Sequence, residues 1–189
     1  MPIYKSNQPI EVIRKASTKG LEIMVGDQIH VNKYTATCQK ITQEGALFLL
    51  DQYLDQAYPM NGEDTNRGGY EASDLRKTLQ NDEVLDIFAD YRDRMQPFDN
   101  GDLLRIPFHG EIFGKEDANY FEPDDCEQWP LMKDRKNRIA FRDNSWEWGW
   151  LQNKRKGSAT AFCYVLAHGD ASDWRASNSV GVRPAFLIR

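Results

Sequence analysis

Residues 146–189 read WEWGWLQNKRKGSATAFCYVLAHGDASDWRASNSVGVRPAFLIR, and this stretch decides the fold. It opens with Trp146, Trp148 and Trp150, and it closes on the apolar-rich run VRPAF at residues 182–186. Side chains two residues apart lie on the same face of a β-strand. We therefore predict a strand here whose three indole rings line one buried face.

Four segments in and around this stretch have the composition of β-strands. They are residues 138–141, 146–151, 161–167 and 182–188. Asp143, Asn144 and Ser145 favour turns and predict a reversal between the first two segments. Pro184 cannot donate to a sheet ladder, so it is expected at an edge or a bulge. Arg183 beside it is predicted to form an ion pair with a buried carboxylate, because a guanidinium holds such a charge with two parallel hydrogen bonds.

The N-terminal half of the chain supplies further strands. Apolar residues near alternating positions over 23–31 predict a hairpin whose turn is Gly26-Asp27. Residues 34–41 extend this sheet with β-compatible side chains. The continuous apolar run over 46–50 is short enough for a strand that is buried on both faces.

Short helices are predicted in the middle of the chain. Ser73 is a good N-cap for a helix over 74–79, whose two leucines fall four apart on one face. A second helix is predicted over 82–89, and a third follows the loop that begins at Pro107. The acidic segment 118–128 is expected to be a surface insertion.

Strands followed by helices and then by further strands indicate an α+β protein. Because the chain shows no internal repeat and no linker, residues 20–189 are expected to form one domain, preceded by an arm over residues 1–19. No apolar run approaches the roughly 20 residues of a membrane span. The N-terminus also lacks the apolar core of a signal peptide, which predicts a cytoplasmic protein that makes no membrane contact.

The residues that usually carry chemistry are few and scattered. Cys38, Cys126 and Cys163 are odd in number and widely spaced, which argues against a disulfide framework and against a zinc site. The sequence contains neither a G-x-S-x-G nucleophile elbow nor a phosphate-binding P-loop. We therefore expect no cofactor, no metal and no catalytic residue, and hence a protein that is not an enzyme.

The order of these motifs resembles an uncharacterised bacterial and phage domain family of unknown function with a C-type-lectin-like fold. The resembling positions are the sheet over 26–50, the helix start Ser73-Asp74-Leu75-Arg76, the run Trp148-Gly149-Trp150-Leu151 and the ending Gly181-Val182-Arg183-Pro184-Ala185. The resemblance covers about residues 20–189 and implies twisted antiparallel sheets with two or three short helices. It also implies that the chain is phage-borne as an alternative to cytoplasmic. Relatives tend to show Trp-Trp-Leu-Arg-Ser where this chain has Gln152 after Leu151, so any role of that arginine is not expected here.

Proteins of related fold bind metals, but this chain lacks their ligand sets. The sulfatase-activating oxidases, which generate formylglycine, need two converging thiolates for copper, and only Cys163 lies in the corresponding region. Sugar-binding C-type lectins hold calcium through six to eight oxygens. Glu122-Pro123-Asp124 resembles their loop, but the segment at Trp146-Glu147 adds a single carboxylate. We expect neither metal.

The net charge of −5 is unevenly distributed. Residues 82–127 contain 14 acidic and 4 basic residues, a balance of 4 − 14 = −10. Residues 133–156 contain 8 basic and 3 acidic residues, a balance of 8 − 3 = +5. Basic residues interleaved with tryptophan are typical of single-strand nucleic-acid binding. The acidic total opposes that interpretation, and a solvated hairpin face explains the same pattern.

The residues that most favour binding lie between Trp150 and Gly181, where aromatic and cationic side chains alternate with polar ones. Such residues dominate interface hot spots and adaptable contacts. The predicted ligand-binding residues are Gln152, Asn153, Arg155, Tyr164, His168, Asp173, Trp174, Arg175 and Asn178. Trp174 and Arg175 are expected to be exposed at the centre of this face.

The sequence therefore predicts a non-catalytic module that recognises a protein or a glycan through its C-terminal loop face. The alternative is a phage-encoded inhibitor of a host system, which acts by protein contact or competes with nucleic acid through the acidic segment 82–127.

Overall fold

A computed structural model of the chain describes residues 23–189, which contain twelve β-strands and four α-helices. The strands are β1 (Gln28–Val31), β2 (Tyr34–Ile41), β3 (Ala46–Leu50), β4 (Tyr58–Pro59), β5 (Met95–Gln96), β6 (Phe141–Arg142), β7 (Ser145–Trp146), β8 (Gly149–Lys154), β9 (Ala161–Val165), β10 (Ala171–Arg175), β11 (Ser179–Val180) and β12 (Ala185–Ile188). The α-helices are α1 (Asp74–Leu79), α2 (Asp82–Leu85), α3 (His109–Phe113) and α4 (Arg135–Arg138). Short 3-10 helices lie at Tyr70–Ala72, Asp86–Arg94, Ala118–Tyr120 and Pro130–Lys133.

The largest sheet has five antiparallel strands in the order β1-β2-β3-β12-β5. Its inner strands β3 and β12 are apolar at every position and buried on both faces. On one face Phe186 stacks on Phe48 with ring centroids 5.8 Å apart, and Phe88 meets Phe186 edge-on at 5.0 Å. On the other face Leu47 and Leu49 join a second apolar cluster. The alternation of side chains along a strand explains how four or five consecutive apolar residues serve two cores.

A second sheet has the order β10-β9-β8 and is also antiparallel. Its central strand β9 is entirely buried. Phe162 and Tyr164 of β9 belong to the cluster around Phe186, whereas Cys163 and Val165 belong to the cluster around Leu49. The two sheets therefore share both cores. Two small antiparallel pairs, β4 with β11 and β6 with β7, complete the topology.

The helix predictions are largely confirmed. α1 spans Asp74–Leu79, and the Ser73 hydroxyl accepts the N-cap hydrogen bond from the Arg76 amide at 3.1 Å. The predicted second helix begins at Asp82 as α2 but continues as the 3-10 helix Asp86–Arg94. α3 forms after Pro107 as expected. The segment 118–128 is not only a surface insertion, because Phe121 within it is buried in the second cluster.

Three predictions about strands are wrong. The first hairpin turns at Asn32-Lys33 rather than at Gly26-Asp27, since Val31 pairs with Tyr34 and Asn32 adopts φ 53°. The segment 138–141 is not a continuous strand, because Arg138 is the last residue of α4 and only Phe141 is paired, in β6. Trp174 and Arg175, which were predicted to lie in a loop, belong to the edge strand β10.

The described residues thus form a mixed α+β structure of curled antiparallel sheets with a few short helices. None of their helices is long and apolar enough to cross a bilayer. The predicted arm over 1–19 lies outside the described residues, as does the beginning of the domain predicted over 20–189.

Candidate functional site

The candidate site is a group of aromatic side chains that the fold leaves partly uncovered, which we call the aromatic surface. It comprises Phe141, Trp146, Trp148 and Trp174, with Tyr164 buried beneath. Trp148 meets the Trp174 ring edge-on with centroids 4.8 Å apart, and it lies 5.5 Å from the Tyr164 ring. Trp146 is 64% exposed, and Trp148 and Phe141 are 38% and 37% exposed. Partly exposed rings in two contacting pairs, Phe141–Trp146 and Trp148–Trp174, are typical of an interaction surface.

Two glycines and a tyrosine hold Trp148 in place. Gly149 and Gly181 form a parallel bridge, and the Trp148 carbonyl accepts a hydrogen bond from the Gly181 amide at 2.9 Å. The buried ring of Tyr53 fills the space that a Cβ on either glycine would need, at 2.3 Å for Gly149 and 2.7 Å for Gly181. Burial raises the pKa of Tyr53 to about 12, so its phenol stays neutral. The glycines therefore allow the close packing that turns Trp148 outward.

The second part of the aromatic surface is carried by the β6–β7 hairpin. Asp143 and Asn144 occupy its two-residue turn with φ 48° and 63°, the backbone of a type I′ turn. The hairpin brings the Phe141 and Trp146 rings into edge-on contact at 5.7 Å. The turn predicted at residues 143–145 is thereby confirmed.

The prediction that the three C-terminal tryptophans line one buried face is wrong. Only Trp150 is buried, at 1% exposure, and its indole nitrogen donates to the Tyr58 carbonyl at 2.9 Å. The reason is that β8 begins at Gly149, so Trp146 lies in a different hairpin and Trp148 in the link between them. Spacing by two places side chains on one face only within a continuous strand.

Three of the predicted ligand-binding residues are buried and engaged inside the protein. Gln152 donates to the Ile106 carbonyl at 2.6 Å. Asn153 accepts from the His109 amide at 2.7 Å and donates to the Asp124 carboxylate at 2.7 Å. Tyr164 packs under the tryptophans. Gln152 and Asn153 fasten β8 to the loop before α3, so both are removed from the candidate contact surface.

Trp174 and Arg175 are exposed to different degrees and face opposite sides of β10, because neighbouring residues of a strand alternate. Trp174 is half-buried on the side of Tyr164. Arg175 is exposed and lies 3.5 Å from the Asp64 carboxylate. The expected centre of the face is therefore divided: Trp174 belongs to the aromatic surface and Arg175 does not.

The remaining predicted ligand-binding residues are not part of the aromatic surface. Arg155 and Asp173 are partly exposed and form an ion pair at 3.5 Å. His168 is exposed with Nε2 3.2 Å from the Asp170 carboxylate. Asn178 is half-buried, and its amide donates to the Arg175 carbonyl in a turn. Among the described residues, none of these four makes a ring-stacking or cation–π contact with Trp148 or Trp174.

β10 is an open edge within the part of the chain that the structure describes. Its pairing with β9 places the hydrogen-bonded pairs at Ser172 and Trp174, as shown by the flanking bonds from Leu166 to Asp170 and from Ala176 to Thr160. In an antiparallel ladder the alternate residues, here Ala171 and Asp173, direct their backbone groups away from the neighbour. The edge therefore offers a donor and an acceptor at each of these positions.

The two charged regions are more internally paired than the sequence indicates. Asp124 accepts hydrogen bonds from the Gly110 and Cys126 amides and from the Asn153 side chain, which makes it structural. Five of the eight basic residues over 133–156 pair with carboxylates. These pairs are Arg135–Asp170, Arg138–Glu116, Arg142–Glu147, Lys154–Glu122 and Arg155–Asp173. Pairing weakens the basic patch as a nucleic-acid site.

A cavity of about 420 Å³ is lined by the buried ion pair of Arg105 and Glu111 and by Cys126. Both oxygens of Glu111 accept from Arg105, at 2.7 and 2.6 Å. Burial raises the pKa of Cys126 to about 12, aided by the Glu111 and Asp124 charges, so this thiol is a poor nucleophile. Within residues 23–189, no three His, Cys, Asp or Glu side chains are placed to hold a metal ion.

Fold and surface together define an α+β protein that presents an aromatic surface beside an open strand edge. Comparisons of the chain with family models, with curated proteins and with solved structures each found no match. Sequence reasoning missed Phe141 and Tyr53, and it placed Trp148 in the core. The type I′ dipeptide Asp143-Asn144 was the one available signal that Phe141 and Trp146 lie opposite each other in a hairpin.

Proposed function

We propose that this chain is a non-catalytic binding module that recognises a partner protein through the aromatic surface and the adjoining edge of β10. The observation that carries the proposal is the exposed Trp148, held against Trp174 by packing that the two glycines make possible. Tryptophan and tyrosine supply large rigid contact areas and dominate interface hot spots.

A protein partner is favoured over a glycan because of the strand edge. Ala171 and Asp173 present backbone donors and acceptors on the same strand that carries Trp174. An extended peptide uses such an edge through main-chain hydrogen bonds, while its side chains contact neighbouring pockets. A glycan would stack on the aromatic rings but has no peptide backbone that could pair with the amides of β10.

We further propose that the fold is C-type-lectin-like and that the protein acts in the cytoplasm or as part of a phage particle. The order of the motifs over 20–189 supports the fold proposal: a capped helix at 74–79, the aromatic run at 148–151 and the terminal strand at 185–188. In this interpretation the aromatic surface lies in the C-terminal part of the domain, where lectin-like folds present their exposed face.

The test uses the full chain as bait to capture proteins from a lysate of the source cell, followed by mass spectrometry. Trp148→Ala and Trp146→Ala each remove an exposed ring, and Ile41→Ala is the matched control because Ile41 is 48% exposed on the distant strand β2. We expect one protein to be retained by the wild type and by Ile41→Ala but lost by both tryptophan variants. With that partner purified, the Ala171 and Asp173 amides should exchange more slowly in the complex.

The proposal is contradicted if both tryptophan variants capture the same proteins as the wild type. It is also contradicted if a glycan array binds the wild type and loses the signal with Trp148→Ala while no protein does so. If the amides of β10 exchange at an unchanged rate in the complex, the partner contacts the rings but does not pair with the edge of β10. That result would overturn the proposal that the partner adds a strand.

A further inference from the structure

A polar cavity of about 260 Å³ lies between the five-stranded sheet and the segment 131–139. It lies beside the apolar part of the same sheet face, where Leu47 and Leu49 belong to the second cluster. The polar residues that line it come from β1 and β2, the position after β3, the loop before β12 and α4: Gln28, Thr37, Gln39, Asp51, Lys136, Asn137 and Arg183. The aromatic surface contributes none of them.

Gln39 reaches this cavity because β2 contains a bulge. The register between β2 and β3 shifts between Cys38 and Lys40, so Gln39 is the extra residue. Bulges re-aim a side chain that regular pairing would direct elsewhere. Gln39 is 2% exposed and its amide nitrogen donates to the Thr37 carbonyl at 3.0 Å. Among the described residues no group donates to its side-chain oxygen Oε1.

Arg183 brings a buried positive charge to the same cavity. It donates from Nε to the Leu50 carbonyl and from Nη1 to the Asn137 carbonyl at 3.0 Å. The predicted direct ion pair is not formed: Asp51 acts on Arg183 only through space, and within residues 23–189 no carboxylate lies within salt-bridge distance of this guanidinium. Arg183 therefore brings its charge to the cavity while its two hydrogen bonds go to neutral carbonyl groups.

Asp51 provides the third polar group. Its two oxygens accept from the Thr37 hydroxyl at 2.7 Å and from the Gln28 amide at 3.1 Å. Burial raises the pKa of Asp51, and the Arg183 charge partly offsets the rise. Burial likewise lowers the pKa of Arg183. Both ionised groups therefore lie where water solvates them poorly, and each gains from a partner of opposite charge.

The unpaired acceptor and the positive charges that line the cavity determine which chemical groups a ligand needs. A buried acceptor without a donor costs free energy, and a buried cation is stabilised further by an anion that is hydrogen-bonded to it directly. Gln39 and Asp51 call for a donor, preferably a cationic one, whereas Arg183 and the rim ammonium of Lys136 call for an anion. The volume lies below the roughly 300–1,000 Å³ of pockets for drug-sized ligands, so the ligand must carry both groups on a small frame.

We propose that this cavity binds a free α-amino acid, with its carboxylate toward Arg183 and Lys136 and its ammonium toward Gln39 and Asp51. An α-amino acid separates the two charges by a single carbon, which suits a site whose donors and acceptors line the same small space. The inference is independent of the aromatic surface, since no lining residue is shared.

Isothermal titration of the full chain against the twenty amino acids and betaine tests the proposal. Betaine keeps both charges but has no N–H, so it cannot satisfy Gln39. We expect at least one amino acid to bind and betaine to bind at least about tenfold more weakly, as for loss of hydrogen bonds from a charged donor. Acetate and methylamine, each with one of the two groups, should also be weaker.

Variants then locate the binding. Gln39→Met removes the acceptor at similar volume and is expected to weaken the affinity about tenfold or more. Lys136→Gln changes an exposed rim residue, so it leaves folding intact and should weaken binding by several-fold as an exposed charge contact does. Lys133→Gln removes a nearby exposed charge that does not line the cavity, and it should bind as the wild type does.

The proposal is overturned if no amino acid binds the wild type at millimolar concentration, or if betaine binds equally well. Equal affinity in Lys136→Gln and Lys133→Gln would also overturn it, whether or not Gln39→Met folds. Retained binding in a folded Gln39→Met would remove the donor-acceptor argument on which the ligand class depends.

Discussion

A single buried ring explains why two glycines flank the aromatic surface. Gly149 and Gly181 both lie against Tyr53, and a Cβ on either would fall within 2.7 Å of ring atoms. Atoms cannot approach this closely, so the ring or a strand must move. The orientation of Trp148 therefore depends on two positions that carry no side chain.

Replacing Gly149 with alanine should destabilise the protein by about 1–3 kcal/mol, the usual cost of overpacking a well-filled core. The measurement is urea unfolding followed by tryptophan fluorescence, which also reports the environment of Trp148. Gly62→Ala is the control, because the nearest atom to its Cβ is a carboxylate oxygen at 3.8 Å. Equal free energies of unfolding for the two variants would show that Tyr53 adapts without cost.

The cysteine thiols give a prediction with a defined pH dependence. Burial raises the pKa of Cys38 to about 11 and that of Cys126 to about 12, from an ordinary value of 9.0. Because the thiolate is the reactive form, raising the pKa lowers its population at any pH below that pKa. Alkylation of Cys126 at pH 8 should be at least roughly 100-fold slower in the native protein than in urea.

The same rate should rise about tenfold per pH unit from pH 8 to 10 in the native protein, whereas in the unfolded chain it levels off near pH 9. Peptide mapping by mass spectrometry separates the three cysteines. By linkage, a raised native pKa stabilises the protein below pH 9 and the stabilisation is lost as the pH rises further. A native Cys126 rate that levels off near pH 9 would contradict the assigned burial.

Helices and strands were predicted correctly where the residues that determine them are close together in the sequence. The bounds of α1 follow from the Ser73 cap and from two leucines spaced four apart, and both features are contained in the seven residues 73–79. β10 was missed because its sequence ASDWR has no strand pattern; it is a strand because the wholly buried β9 offers it a partner. The β1–β2 turn was misplaced because Gly26-Asp27 is the stronger local signal, but pairing of Val31 with Tyr34 decides the register.

The β6–β7 hairpin should be sensitive to the second residue of its turn. Asn144 has φ 63°, a left-handed conformation that β-branched residues adopt at a cost of roughly 1–2 kcal/mol. We expect Asn144→Val to lower the free energy of hairpin opening by that amount, as measured by amide hydrogen exchange of residues 141–146. Near-ultraviolet circular dichroism should lose part of the signal of the Phe141–Trp146 contact.

Ser145→Val is the control for the hairpin, because Ser145 is equally exposed but lies in β7 with strand geometry. It should exchange as the wild type or more slowly, since valine favours strands. If both variants open the hairpin equally, loss of polarity rather than backbone conformation is responsible.

At the scale of the whole molecule, the sequence indicated which segments are apolar but not which of them meet. The runs 46–50 and 182–188 were both predicted as strands, and the pairing of β3 with β12 brings together residues about 140 positions apart. Many pairings of apolar strands satisfy the same pattern, and only the complete packing selects one. The site was harder still: whether Gln152 is exposed depends on the Ile106 carbonyl, which lies in a loop remote in sequence.

Because β12 lies inside the largest sheet, the fold depends on residues 185–188. β12 lies between β3 and β5, and all four of its residues are buried, with Phe186 between Phe48 and Phe88. Without them the sheet is divided, and each apolar cluster loses side chains that contribute about 2–5 kcal/mol each. The total stability of a domain is only about 5–15 kcal/mol.

Deleting residues 185–189 should therefore abolish cooperative unfolding, while deleting Arg189 alone should leave it intact. The single variant Phe186→Ala should cost about 3–5 kcal/mol and retain a cooperative transition at lower temperature. Circular dichroism melts and the dispersion of amide proton shifts measure both. A sigmoidal melt for the 185–189 deletion would show that β1–β3 and the second sheet fold without their shared strand, and the two cores would then have to be regarded as independent units.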